Sequence, residues 1–165
     1  MKYMQDFISH FSGRPVFSIR DARIFLKSKK ISPNYLYFLI HYLLKKGKIN
    51  RITKGFYSFS DDAIVCGFAF SPFYYGLHQA LSIHGFWGQA TNPVIVTSRK
   101  VRSGLREIMG ANVVVKKVNP SMLFGFEQVQ HYGFWLPVSV PEKTLVDFVY
   151  FRQKIPLESK EKLFK

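Results

Sequence analysis

The stretch from Ser32 to Gly47 carries the strictest helix punctuation in the chain. A serine stands at the N-cap, a proline at the first helical position, and a glycine just past the end. Lys45 and Lys46 sit where the negative end of a helix dipole favours cations. At 100° per residue, Leu36, Leu39, Ile40 and Leu43 share one face, while Asn34, Tyr37, Phe38, His41 and Lys45 gather on the opposite side. A helix of this kind buries one face and has to present the other.

The flanking segments say what it is presented by. Met4, Phe7, Ile8 and Phe11 predict a first helix from about Tyr3 to Phe11, ended by Ser12-Gly13-Arg14-Pro15. A second helix starts after Ser18, an N-cap with Asp21 three residues on; it puts Ile19, Ala22, Phe25 and Leu26 inward and Arg20, Arg23 and Lys27 outward. Ser28-Lys29-Lys30-Ile31 reads as the turn into the punctuated helix. Beyond that helix, Lys48 to Ile52 alternates, Thr53-Lys54-Gly55 turns, and Phe56 to Phe59 alternates again, which is a hairpin with a basic tip. Two helices joined by a short turn and followed by such a wing predict a winged helix-turn-helix over residues 1–60, its second helix entering a major groove.

Charge separates the partners such a unit can take. The chain holds 24 Lys and Arg against 10 Asp and Glu, a net of +14, which suits a polyanion. Residues 1–60 carry 12 basic and 2 acidic side chains, and residues 61–165 carry 12 and 8. The total fits RNA or an anionic membrane equally well; its concentration on the second and third helices and the wing points to double-stranded DNA. Arg51 and Lys54 on the wing are expected on phosphates, with Arg20, Arg23, Lys27, Lys45 and Lys46 completing the DNA-binding set. Asn34, Tyr37 and His41 are the candidate base readers, asparagine suiting an adenine edge; an exposed or half-packed helix residue is the plainer reading of each. Phe38 is expected to pack against a neighbouring domain or subunit. Phe38 and Trp87 are candidates for a homodimer patch, a buried Trp87 fitting the sequence equally well.

Residues 61–165 read as a small α+β domain with a mostly antiparallel or mixed sheet, so the fold class is α+β. Asp61-Asp62 marks the boundary, without a flexible linker. The apolar run Ala63 to Phe70, holding the single cysteine Cys66, reads as a buried strand. A helix is expected from Ser71-Pro72 to about His84, closed by Gly85, with Leu77, Ala80 and Leu81 as its stripe. Strands are expected over 93–98, 112–118, 124–131 and 134–140, and a last helix from Pro141 to about Arg152, before Pro156.

Chemistry finds little purchase here. One cysteine permits no internal disulfide, and no two of His10, His41, His78, His84 and His131 stand three or four apart to hold a metal on one helix face. No Walker loop or dinucleotide glycine fingerprint occurs. The one acidic-x-Lys triplet, Glu158-Ser159-Lys160, follows Pro156; Glu142 suits a helix start and Asp147 a structural role. The sequence therefore assigns no catalytic residue, metal or cofactor, and a non-enzyme is expected. A nucleic-acid-processing enzyme and an RNA or nonspecific architectural binder are the rival classes. No apolar stretch reaches the roughly 20 residues that span a bilayer, and the first residues lack a signal-peptide layout, so a cytoplasmic protein without a membrane partner is expected.

The order of segments resembles the AbiEi family of antitoxins and transcriptional regulators, associated with type IV toxin-antitoxin systems and phage defence. The resemblance rests on Leu43 to Ile52 followed by Lys54-Gly55-Phe56-Tyr57, on Pro72 to Leu77 with Ala80-Leu81 and His84-Gly85, on Val94 to Ser98, and on Val138 to Asp147. It implies a repressor that binds repeats in its own promoter. It also implies functional pairing with a nucleotidyltransferase toxin, without obligatory contact between the two. Longer relatives continue with helical sequence where this one stops, so a stand-alone regulator is expected beside the antitoxin.

Overall fold

Helix ends leave backbone groups unpaired, and the N-terminal residues show how this chain satisfies them. In the computed structural model, which describes all 165 residues, helix α1 (Met4–Phe11) is followed by strand β1 (Phe17–Ser18) and helix α2 (Ile19–Ser28). Ser18 and Asp21 form the capping box: the serine hydroxyl accepts from the Asp21 N–H at 3.1 Å and the carboxylate accepts from the Ser18 N–H at 2.9 Å. Helix α3 (Pro33–Lys45) begins with the Ser32 hydroxyl accepting from the Asn34 N–H at 3.3 Å. It ends at Gly47, whose φ of +62° suits a residue without a side chain. Strands β2 (Asn50–Thr53) and β3 (Phe56–Ser58) complete an antiparallel sheet in the order β1-β3-β2.

Burial of aromatic and aliphatic side chains holds these elements together. Phe7, Phe11, Phe17, Leu26, Leu36, Leu39 and Leu43 are each 0–1% exposed and form one cluster with Ala22, Ile40 and Ile49. Phe17 is its hinge, since it contacts the helices through Phe7 and Phe11 and the sheet through Tyr57 and Phe59. The Ile19 N–H donates to the carbonyl of Gly55 at 2.8 Å. That bond ties the start of α2 to the β2–β3 turn.

The chain divides into two compact units, Met1–Ala69 with Ile108–Gly110, and Phe70–Glu107 with Ala111–Lys165. The second unit is built on a six-stranded mixed sheet of β4 (Phe73–Tyr75), β5 (Val94–Thr97), β6 (Gly104–Ile108), β7 (Ala111–Lys117), β8 (Phe126–His131) and β9 (Phe134–Ser139). Its order is β6-β7-β5-β4-β9-β8, with β4 antiparallel to β5 and parallel to β9, and β5 parallel to β7. Helices α4 (Leu77–Ile83) and α5 (Pro141–Tyr150) pack through Leu77, Leu81 and Phe148, with Trp87 half-buried against them. A last helix, α6 (Leu157–Leu163), is fastened by the Ser159 hydroxyl donating to the Phe86 carbonyl at 2.8 Å. The expected α+β class, with its mixed sheet, is what the chain adopts.

Three expectations need correction. Ala63–Phe70 is a 3-10 helix and not a strand. Its uninterrupted apolar run has no period to distinguish the two, and the Asp62 carboxylate, which accepts from the Ile64 N–H at 3.0 Å, caps it. The helix expected from Ser71-Pro72 starts only at Leu77, because Phe73, Tyr74 and Tyr75 form β4. Gly76 makes the switch: a Cβ there would lie 2.9 Å from Val96 Cγ2. Finally, the helix from Pro141 ends at Tyr150, close to its expected end, but it is not the last: a further helix follows Pro156.

The second unit also buries charge. Lys143 and Asp147, one turn apart on α5, are 3% and 0% exposed. The Lys143 ammonium donates to the Asp147 carboxylate and, at 3.0 Å, to the Tyr74 hydroxyl, which itself donates to Asp147 at 2.9 Å. Phe124 lays its ring 4.8 Å from the ammonium, and Gly125 packs so close that a Cβ there would meet Lys143 at 2.9 Å. Burial raises the Asp147 pKa while the hydrogen bonds from Lys143 and Tyr74 pull it down. Asp147, for which the sequence suggested a structural role, is thus fully buried and hydrogen-bonded between two elements.

Candidate nucleic-acid interface

Because Leu36, Leu39, Ile40 and Leu43 turn one side of α3 into the core, the other side is held out to solvent by the same packing. Asn34, Tyr37, His41 and Lys45 are all exposed on it; Lys46 at the helix end is exposed too, as are Arg20, Arg23 and Lys27 on α2 and Arg51 and Lys54 on the wing. All ten candidate residues are therefore accessible, and they lie on consecutive elements of one unit. The α2-to-wing hydrogen bond brings the start of α2, with Arg20, to the turn that carries Lys54. Arg23 reaches across to α3, where its Nη2 donates to the Tyr37 hydroxyl at 3.0 Å.

The acidic groups of this unit are few and engaged: just past the wing, Asp61 accepts from the Asn50 side-chain amide at 2.8 Å. Of the two in residues 1–60, Asp21 serves the capping box and Asp6 pairs with Lys29 at 3.7 Å. Lys30, in the turn before α3, and Lys48, just after it, are exposed cations that the sequence reading left out. Their signal was only adjacency to the helix. Phe38, expected to pack against a neighbouring domain or subunit, is 58% exposed on the same helix.

The positive charge of the second unit has its own location. Arg99, Lys100, Arg102, Arg106, Lys116 and Lys117 fall within nineteen residues that include one acid, Glu107. Thr97 pairs with Lys117 across the parallel strands, and the Lys117 N–H donates to Ser103 Oγ at 3.1 Å. These contacts set Lys117 beside Ser103 and at the end of β5 that leads into Arg99 and Lys100. The remaining reactive groups are packed away or dispersed. Burial pushes the Cys66 thiol up to about 12 and lowers the pKa of His78, which sits between the rings of Trp87 and Phe148. No three His, Cys, Asp or Glu side chains gather as a metal site.

Three helices, the last two joined by a short turn, and a two-stranded wing on a three-stranded antiparallel sheet make the N-terminal unit a winged helix-turn-helix. Residues 8–60 match the family described as transcriptional regulator, AbiEi antitoxin. This bears out the family resemblance for the stretch from Leu43 to Tyr57, and the matched residues run from within α1 to just past β3. No curated protein matches the chain. No helix is long and apolar enough to cross a membrane.

Proposed function

We propose that the chain is a sequence-specific regulator that binds double-stranded DNA and represses by occupying repeats in its own promoter, as an AbiEi-like antitoxin. One observation carries this reading: the solvent face of α3, opposite its core face, combines amide and aromatic groups and is flanked by exposed cations on α2, its own last turn and the wing. The family matched by residues 8–60 is described in the same terms. An A-form RNA major groove is too deep and narrow for side chains to read, whereas the B-DNA groove admits a helix. Residues 1–60 are the DNA-binding domain in this reading. The basic stretch from Arg99 to Lys117 adds backbone affinity, and residues 61–165 also arrange a dimer or a partner surface. A homodimer calls for inverted half-sites about 34–36 Å apart or a multiple of that, a monomer for direct repeats. The protein acts without catalysis, in the cytoplasm, and opposes a nucleotidyltransferase toxin without needing to touch it.

Competition between the chain's own upstream DNA and bulk DNA at physiological salt tests the proposal. Preference for the upstream sequence by about 10³-fold or more is expected; equal affinities reject sequence-specific regulation. Within that assay, Arg51→Ala with Lys54→Ala weakens binding to all sequences alike and lowers the slope of log K against log salt by about one to two. Asn34→Ala leaves that slope unchanged and relaxes preference at one base pair, by about 1–3 kcal/mol. A wing variant with unaltered salt dependence removes the wing from the interface.

A further inference from the structure

The outward face of α3 is not uniformly polar. On a helical wheel Asn34, Phe38, His41 and Lys45 fall within an arc of about 60°, and Leu36, Leu39, Ile40 and Leu43 lie on the far side. Phe38 therefore stands on the crest of the helix, with 58% of its surface in solvent. Tyr37 lies to one side of that crest, its hydroxyl held by Arg23 on α2. The cations of α3 are confined to its C-terminal end at Lys45, with Lys46 capping it, and the first two turns, Pro33 to Ile40, carry none.

We propose that Phe38 recognises thymine through its 5-methyl group, so that the first two turns of α3 select A·T base pairs. The inference rests on the reading of α3 as the helix in the major groove and names what that helix reads. Every base presents hydrogen-bonding atoms on the groove floor; thymine alone adds a methyl group. A phenyl ring on the crest loses its water as the helix docks. Against ring nitrogens and carbonyl oxygens that step strips polar hydration without replacing it, whereas against a methyl both apolar surfaces leave water together. Asn34 lies one turn before Phe38, about 6 Å along the axis, and its amide matches the N6 and N7 edge of adenine. Guanine is most often read by a bidentate arginine or lysine, and α3 offers neither before its last turn.

The test starts with duplexes selected from a random pool by the full chain. Each thymine of the selected site is then replaced by deoxyuridine, which keeps every hydrogen-bonding atom and lacks only the methyl. Binding of fluorescein-labelled duplexes is measured by anisotropy with wild type, Phe38→Ala and Phe38→Leu. At one or more thymines of each half-site, deoxyuridine weakens wild type about fourfold, does so less for Phe38→Leu, and has no effect for Phe38→Ala. Tolerance of deoxyuridine at every thymine overturns the proposal, as does an equal penalty in wild type and Phe38→Ala. Specific binding that survives either result leaves the regulator reading intact; a pool that yields no preferred sequence removes both. Light scattering on the same variants covers the other occupant of an exposed ring. If Phe38→Ala turns a dimer into a monomer while the deoxyuridine penalty stays, Phe38 is a subunit contact and the proposal falls.

Discussion

Asp147→Ala is expected to destabilise the second unit by about 3–5 kcal/mol, the cost of leaving a buried charge without its counter-ion. The variant removes the acceptor of both the Lys143 ammonium and the Tyr74 hydroxyl. Lys143 cannot swing out to water, because Gly125 and the Phe124 ring close over it. Lys143→Met with Asp147→Leu removes both charges and keeps most of the volume, and is expected within about 2 kcal/mol of wild type or more stable than it. The chain has two tryptophans, Trp87 and Trp135, and both belong to this unit. Urea titration followed by tryptophan fluorescence therefore reads it directly. A single variant no less stable than the double would show that the ion pair is not what holds α5 to β4.

Phe17→Ala is expected to cost the winged unit about 3–5 kcal/mol, as for other large-to-small changes at well-packed aromatics. Phe17 is 1% exposed, and its ring centre lies 4.8 Å from Phe11, 5.6 Å from Phe7 and 5.8 Å from Tyr57. Its removal leaves a cavity where the helices meet the wing. Hydrogen exchange at the amides of Leu36, Leu39 and Leu43 is the suitable measurement, since the tryptophans report elsewhere. Protection there is expected to fall together with DNA affinity, whereas Arg51→Ala with Lys54→Ala lowers affinity and leaves protection unchanged. Unaltered exchange in Phe17→Ala would mean that the helices hold without the sheet.

The winged unit was legible because each of its elements carries its own local signal. Ser18 with Asp21, Ser32-Pro33, Gly47 and the Lys54-Gly55 turn all act within a few residues of themselves, and the 3.6-residue spacing of Leu36 to Leu43 fixes which face is inward. All ten surface residues named from sequence are exposed for that reason. What Phe38 meets was not legible, because an apolar side chain on an outward face gives no sign of what covers it. In the second unit the decisive contacts are long-range. Lys143 and Asp147 show their four-residue spacing in the sequence, but their burial depends on Tyr74, 69 and 73 residues away. The run from Phe73 to Tyr75 became a strand because β5 and β9 flank it, which no nearby residue announces.

These sequence distances also order events in time. The winged unit closes when Ser58 reaches Pro15, 43 residues back; β4 and α5 cannot lock until Lys143 and Asp147 exist. At about 5–20 residues per second of synthesis, several seconds separate the two moments. On a ribosome-bound chain the contacts among residues 1–60 can thus form while much of the second unit is still being translated.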